Sequence, residues 1–125
     1  MADRRPDGLH GRRLLVVEDE YLVAADLAES LEEMGAQVVG PVGSVEAALE
    51  KVRTDGHRLD GAVLDVNLRG ERVYPVAEAL AAHGVPFVFT TGYDRAAIPE
   101  AFSQAPSCGK PVDVKLLARL LTQGS

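Results

Sequence analysis

The chain has 125 residues, 46% hydrophobic and 26% charged, which excludes a disordered chain and allows one domain of ordinary size. A formal charge of −6 argues against a nucleic-acid-binding domain, and no apolar run is long enough to insert into a membrane. The N-terminus has no apolar stretch of a secretory signal and the single cysteine excludes an internal disulfide, so the expected location is cytoplasmic.

Residues 1–11 are polar, with Pro6, Gly8 and Gly11, and read as a flexible tail. From Arg12, short β-rich runs alternate with longer Ala/Leu/Glu-rich segments. The first strand is Leu14-Leu15-Val16-Val17. Apolar residues at Leu22, Ala25, Leu27, Ala28 and Leu31 give Tyr21 to Met34 a helical period, which Gly35 stops. Gln37 to Val42 is a second strand. Ser44 caps a helix running through Thr54, with Val45, Ala48, Leu49 and Val52 as its buried stripe. Leu59 to Leu64 is the third strand. Pro75 suits the first turn of a helix that runs to His83 and ends at Gly84. Val85 to Thr90 is the fourth strand. Arg95-Ala96-Ala97-Ile98 starts like a helix, but Pro99 predicts that it is short or broken. A weak fifth strand near Ser107–Gly109 precedes a last helix, Val112 to Gln123. Five strands alternating with five helices predict an α/β fold, a flavodoxin-like (βα)5 doubly wound parallel sheet of strand order 2-1-3-4-5. One domain is expected over residues 12–122 with no output domain, and Met1 with its tail favours a free-standing protein.

The strand ends carry the chemistry. The first ends in Glu18-Asp19-Glu20, the third in Asp65, the fourth in Thr90-Thr91-Gly92, and the fifth in Lys110. Ligands of open α/β sheets bind at the carboxyl edge of the strands, so these groups are expected to converge there. Three carboxylates packed together repel unless a cation neutralises them, and magnesium takes oxygen ligands of this kind. Acids, a hydroxyl and a lysine together make a magnesium-dependent phosphoryl-acceptor site. Taken alone, Glu18-Asp19-Glu20 has an equally good reading as the cap of the first helix; the agreement of four strand ends favours the site. His10, His57 and His83 lack ligand spacing, Cys108 reads as a small buried strand residue, Arg12-Arg13 as solvated charge, and Thr90 as facing away from Thr91.

The segments Leu15-Val16-Val17-Glu18-Asp19-Glu20, Val63-Leu64-Asp65-Val66-Asn67-Leu68, Phe89-Thr90-Thr91-Gly92-Tyr93 and Lys110-Pro111 give the sequence its resemblance to a receiver domain of two-component response regulators. The resemblance covers Arg12 to Leu121. It implies that Asp65 is the phosphoacceptor, taking a phosphoryl group from a sensor histidine kinase or a histidine phosphotransfer protein. It implies direct magnesium ligation by Asp19 and Asp65, a water-mediated contact from Glu18, and the backbone carbonyl of Asn67 as a further ligand. Lys110 and the Thr91 hydroxyl bind phosphoryl oxygens, Gly92 leaves space for the phosphate, and the Lys110–Pro111 bond is cis. Such a domain phosphorylates and dephosphorylates itself but is otherwise a signalling module rather than an enzyme.

Three departures stand out against that family. Glu18 replaces the usual Asp, and Ser107 stands where many receivers carry the aromatic that couples threonine movement to an output face. The run Phe89–Tyr93 resembles a subgroup named for the motif Phe-Ala-Thr-Gly-X-Tyr, with Thr90 in place of Ala. Tyr93 either shields the phosphoryl group or belongs to a partner surface. The expected function is a stand-alone regulator that signals to an unknown downstream protein or drains phosphoryl groups from a kinase, as a monomer or a phosphorylation-dependent dimer. Its expected output face is 93–108 with 112–121. Alternatives are a phosphorylation-independent binding module on the same fold and a receiver cut from a hybrid kinase. A haloacid-dehalogenase-type phosphatase needs a second Asp where Asn67 stands, and neither phosphate-binding glycine motif is present.

Overall fold

The computed structural model describes residues 8–92 and 98–123. Five parallel strands form the central sheet: β1 (Arg13–Val17), β2 (Gln37–Val42), β3 (Gly61–Asp65), β6 (Phe87–Thr91) and β7 (Ser107–Gly109). Their spatial order is β2-β1-β3-β6-β7, the expected order 2-1-3-4-5 once the small separate hairpin of β4 (Asn67–Leu68) and β5 (Glu71–Arg72) is set aside. The helices are α1 (Tyr21–Glu33), α2 (Val45–Asp55), α3 (Tyr74–Ala82) and α4 (Val114–Gln123).

Side chains alternate across the sheet, and in the inner strands β1, β3 and β6 they are buried on both faces, which is why these strands read as apolar runs rather than as alternating patterns. Leu15, Val17, Leu64 and Phe89 point into one core with Ala48 and Val52 of α2 and Val76 and Leu80 of α3. Leu14, Val16, Val63 and Val88 point into the other, with Leu27 and Leu31 of α1 and Leu117 and Leu121 of α4. Ser44 Oγ accepts the Ala47 N–H at 3.1 Å and caps α2 as expected. Pro75 lies in the first turn of α3. Among the described residues no helix is long and apolar enough to cross a membrane.

The structure corrects two expectations and adds a hairpin. Residues 8–11 do not belong to a loose tail: Leu9 is fully buried in the α1/α4 core, its N–H donates to Met34 O, and Gly11 N–H donates to Gly35 O. Gly35 makes this return possible, because at φ +99° a Cβ there would lie 2.8 Å from His10 Cα. The last helix begins at Val114, not Val112, because Asp113 Oδ1 accepts the N–H groups of Lys115 and Leu116. A 3-10 turn, Glu100–Phe102, follows Pro99; the short helix expected from Arg95 falls on residues 93–97, outside the described residues. The hairpin β4–β5 was not expected at all.

Candidate functional site

Strand register determines the site. Val17 pairs with Leu64, which sets Glu18 and Asp19, just past the end of β1, beside Asp65, the last residue of β3. Asp65 pairs with Thr90 and Thr91 with Gly109, so Lys110 follows directly after the last pair. The Lys110–Pro111 peptide is cis, as expected. The four strand ends therefore meet, in a cleft of about 570 Å³ whose lining includes Asp19, Asp65, Asn67, Thr91, Gly92 and Lys110.

Lys110 ties the two buried acids together. Its Nζ donates to Glu18 Oε1 and to Asp65 Oδ2, each at 3.0 Å. The second oxygen of each carboxylate accepts a backbone N–H two residues on: Glu18 Oε2 from Glu20 at 3.1 Å, and Asp65 Oδ1 from Asn67 at 3.2 Å. Glu18 and Asp65 are 4% and 6% exposed, so little water reaches them and these four bonds hold their charge. Burial pushes the Glu18 carboxyl up from its ordinary value; the Glu20 N–H and Lys110 oppose the shift, and the charge of Asp65 adds to it. For Lys110, burial alone would depress the ammonium, but the two carboxylates outweigh it and hold its pKa above the ordinary value. The capping role for the acid run does not hold. Glu20 occupies the N-cap of α1 without a side-chain hydrogen bond, and Glu18 turns inward to Lys110.

Glu18, Asp19 and Asp65 each bring an oxygen within 4.8 Å of the others. The three carboxylates outnumber their ion-pair partners, Lys110 and the exposed Arg69, and an all-oxygen set fits a hard divalent cation such as magnesium rather than a thiolate- or imidazole-seeking metal. The nitrogen and sulfur donors are elsewhere: His10, His57 and His83 are exposed, and Cys108 is buried in the α1/α4 core. Thr91 supplies a separate indication. Its side-chain oxygen is buried with no hydrogen-bond partner, an expensive condition that an oxygen-rich ligand in the cleft would relieve. Thr90, though buried, is not part of the cleft lining. Beside Gly92 the space is open, with no atom within 4 Å of where a Cβ would stand. Tyr93 lies outside the described residues.

Sequence reasoning missed Arg69 and Arg72, which the β4–β5 hairpin brings to the cleft. No local signal marked them, because Arg69-Gly70 is not among the Asn-Gly, Asp-Gly or Gly-Gly pairs that announce a two-residue hairpin. Around Ser107, the aromatic side chains come from other elements. Tyr74 of α3 stacks on Phe102 at 5.6 Å between centroids, and Phe89 meets both rings edge-on at 5.8 and 5.9 Å.

No protein-family model matches the chain. By structure it is similar to SdrG from Sphingomonas melonis Fr1, at 41% identity, covering 89% of this chain and 96% of that one, with a TM-score of 0.77. It is also similar to a response regulator receiver domain (CheY-like) from Methylobacillus flagellatus, at 26% identity, 91% and 98% coverage and a TM-score of 0.75. A response regulator receiver protein from Sinorhizobium medicae shares the fold at 22% identity, 93% and 95% coverage and a TM-score of 0.76. Among curated proteins, the chain is 33% identical over 85 residues to the transcriptional regulatory protein PdtaR of Mycobacterium tuberculosis; the match takes in 67% of this chain and 40% of that protein's length.

Proposed function

The chain belongs to the receiver domains of response regulators, and on that premise we propose that it accepts a phosphoryl group on the Asp65 carboxylate from a histidine kinase or histidine phosphotransfer protein. The single observation that carries this reading is the meeting of Asp65, Lys110 and the unpartnered Thr91 hydroxyl in one cleft rimmed by acids.

In the reaction an Asp65 carboxylate oxygen attacks phosphorus, a new O–P bond forms, and the N–P bond of the donor phosphohistidine breaks in line with it. The imidazole nitrogen leaves with the electron pair of that bond. Positioning and charge stabilisation supply the catalysis. The Asn67 N–H keeps the Asp65 carboxylate in a fixed orientation, and Lys110 turns from it toward the phosphoryl oxygens as they gain charge. Thr91 donates its hydroxyl to one of those oxygens. Asp19, Asp65 and the Asn67 carbonyl would hold magnesium, with Glu18 acting through water; when bound, the ion offsets the charge of carboxylates and phosphoryl group together.

A doubly charged group on Asp65 reorders the loops that contact it. The output is a changed surface over residues 98–108 and 112–121 that a partner protein reads; the remainder of the expected face, 93–97, lies outside the described residues. Intact mass after incubation with acetyl phosphate tests the proposal. The expected result is a magnesium-dependent gain of one phosphoryl group that Asp65→Ala abolishes. No gain, either from acetyl phosphate or from a phosphorylated histidine kinase, would replace this reading with that of a phosphorylation-independent binding module.

A further inference from the structure

Arg69 occupies a backbone position that arginine rarely takes. Among the described residues it is the non-glycine residue with positive φ (+54°), and Gly70 follows at +90°. Two successive positive φ values close the two-residue link between β4 and β5, a turn that favours Asn, Asp and Gly. The turn is well anchored. Asn67 Oδ1 accepts the Gly70 N–H at 2.9 Å, Asn67 pairs with Arg72 and Leu68 with Glu71, and the Asn67 N–H is itself bonded to Asp65. A hairpin rooted at the acceptor aspartate thus carries Arg69 over the end of β1, where its Nε lies 3.9 Å from Asp19 Oδ2.

Two cations therefore divide three acids. Lys110 serves Glu18 and Asp65 from inside the cleft, and Arg69 serves Asp19 from the rim. We propose that Arg69 is a tethered counter-ion of Asp19 that competes with a divalent cation for this carboxylate, and so sets the magnesium concentration at which the site fills. The proposal rests on the reading of Glu18, Asp19 and Asp65 as a divalent-cation site. A dication bound to Asp19 and a guanidinium within ion-pair reach of the same oxygen repel each other. The Arg69 side chain is 79% exposed, so it can swing into water without losing a buried contact. The same exposure bounds the effect: exposed ion pairs are weak and screened by salt, which corresponds to about twofold to fivefold in cation affinity.

The test is a magnesium titration of the full chain at low ionic strength, followed by ¹H–¹⁵N NMR shifts of the Asn67 and Gly92 amides, with thermal melts in EDTA alongside. Arg69→Asn keeps a residue suited to positive φ and removes the charge; Arg69→Lys keeps the charge. Arg58→Ala removes a charge that pairs with Asp55 at the opposite edge of the sheet. The expected result is about twofold to fivefold tighter magnesium binding by Arg69→Asn, wild-type affinity for Arg69→Lys and Arg58→Ala, and loss of the difference in high salt. Wild-type affinity in Arg69→Asn, with or without a changed melting midpoint, would overturn the proposal and leave Arg69 a turn residue only. Equal tightening by Arg58→Ala would also overturn it, in favour of net charge. Absence of magnesium binding in the wild type and every variant would instead overturn the metal-site reading beneath it.

Discussion

Replacing Lys110 with Met keeps the length of the side chain and removes the cation that two buried acids share. Lys110 Nζ is 3.0 Å from both Glu18 Oε1 and Asp65 Oδ2, and those carboxyl side chains are only 2% and 8% exposed. Hydrogen bonds to charged groups are worth about 1.5–3 kcal/mol each, and removing one partner of a buried ion pair costs about 3–5 kcal/mol. Lys110 is itself 24% exposed, so water partly replaces it, and the expected loss near neutral pH is about 2–4 kcal/mol. With a urea m-value of about 2 kcal/mol/M, the midpoint falls by roughly 1–2 M. The loss depends on pH with a definite sign. Without Lys110, burial and the charge of Asp65 drive the Glu18 carboxyl toward protonation, so the deficit shrinks as pH falls to about 5. In the wild type, the Lys110 pKa is held above 10.5, so its contribution is complete below 10.5 and is lost as pH rises through the folded-state value. The assay is urea unfolding in EDTA followed by far-UV circular dichroism, the chain having no tryptophan. A wild-type midpoint for Lys110→Met, or a loss that stays constant from neutral pH to about pH 5, would refute this account of the cluster.

Two further outcomes follow from the same structure. Leu9→Ala, at a fully buried position, should cost about 2–5 kcal/mol and lower the melting temperature by roughly 10 °C, and a change below about 0.5 kcal/mol would show that the N-terminal segment is not packed. The Glu18 pKa is raised above its ordinary 4.5, so the folded state binds this proton more readily than the unfolded state, and stability falls as pH rises from 4.5 through the folded value. Glu18→Gln removes that component, so the stability advantage of the wild type over the variant should decline across this window in metal-free unfolding curves; an advantage that grows with pH would contradict the raised pKa.

The parallel sheet was readable because its three inner strands, β1, β3 and β6, are apolar runs with both faces buried, bounded by a change in chemistry: Val17 to Glu18, Leu64 to Asp65, Thr91 to Gly92. The convergence of Glu18, Asp65, Thr91 and Lys110 followed from strand order alone. Other features had no local signal. Leu9 is one apolar residue in a polar stretch, and its burial depends on the return through Gly35. Two-residue strands are too short to show a period, so the β4–β5 hairpin and the placing of Arg69 were not visible. The role of Glu18 was ambiguous between cap and site because its decisive partner, Lys110, is 92 residues away. The start of α4 was misread because Val112 continues the apolar pattern, whereas the cap belongs to Asp113.

The most direct measurement locates the acceptor atom itself. An aspartyl phosphate is an acyl phosphate, and hydride reduction converts it to homoserine, which peptide mass mapping identifies by position. After phosphorylation of the wild-type chain with magnesium present and reduction with borohydride, homoserine is expected at position 65 and not at Asp19, and Glu18 and Glu20 are expected to stay unreduced. A phosphorylated chain with homoserine elsewhere, or with Asp65 unmodified, would contradict the account.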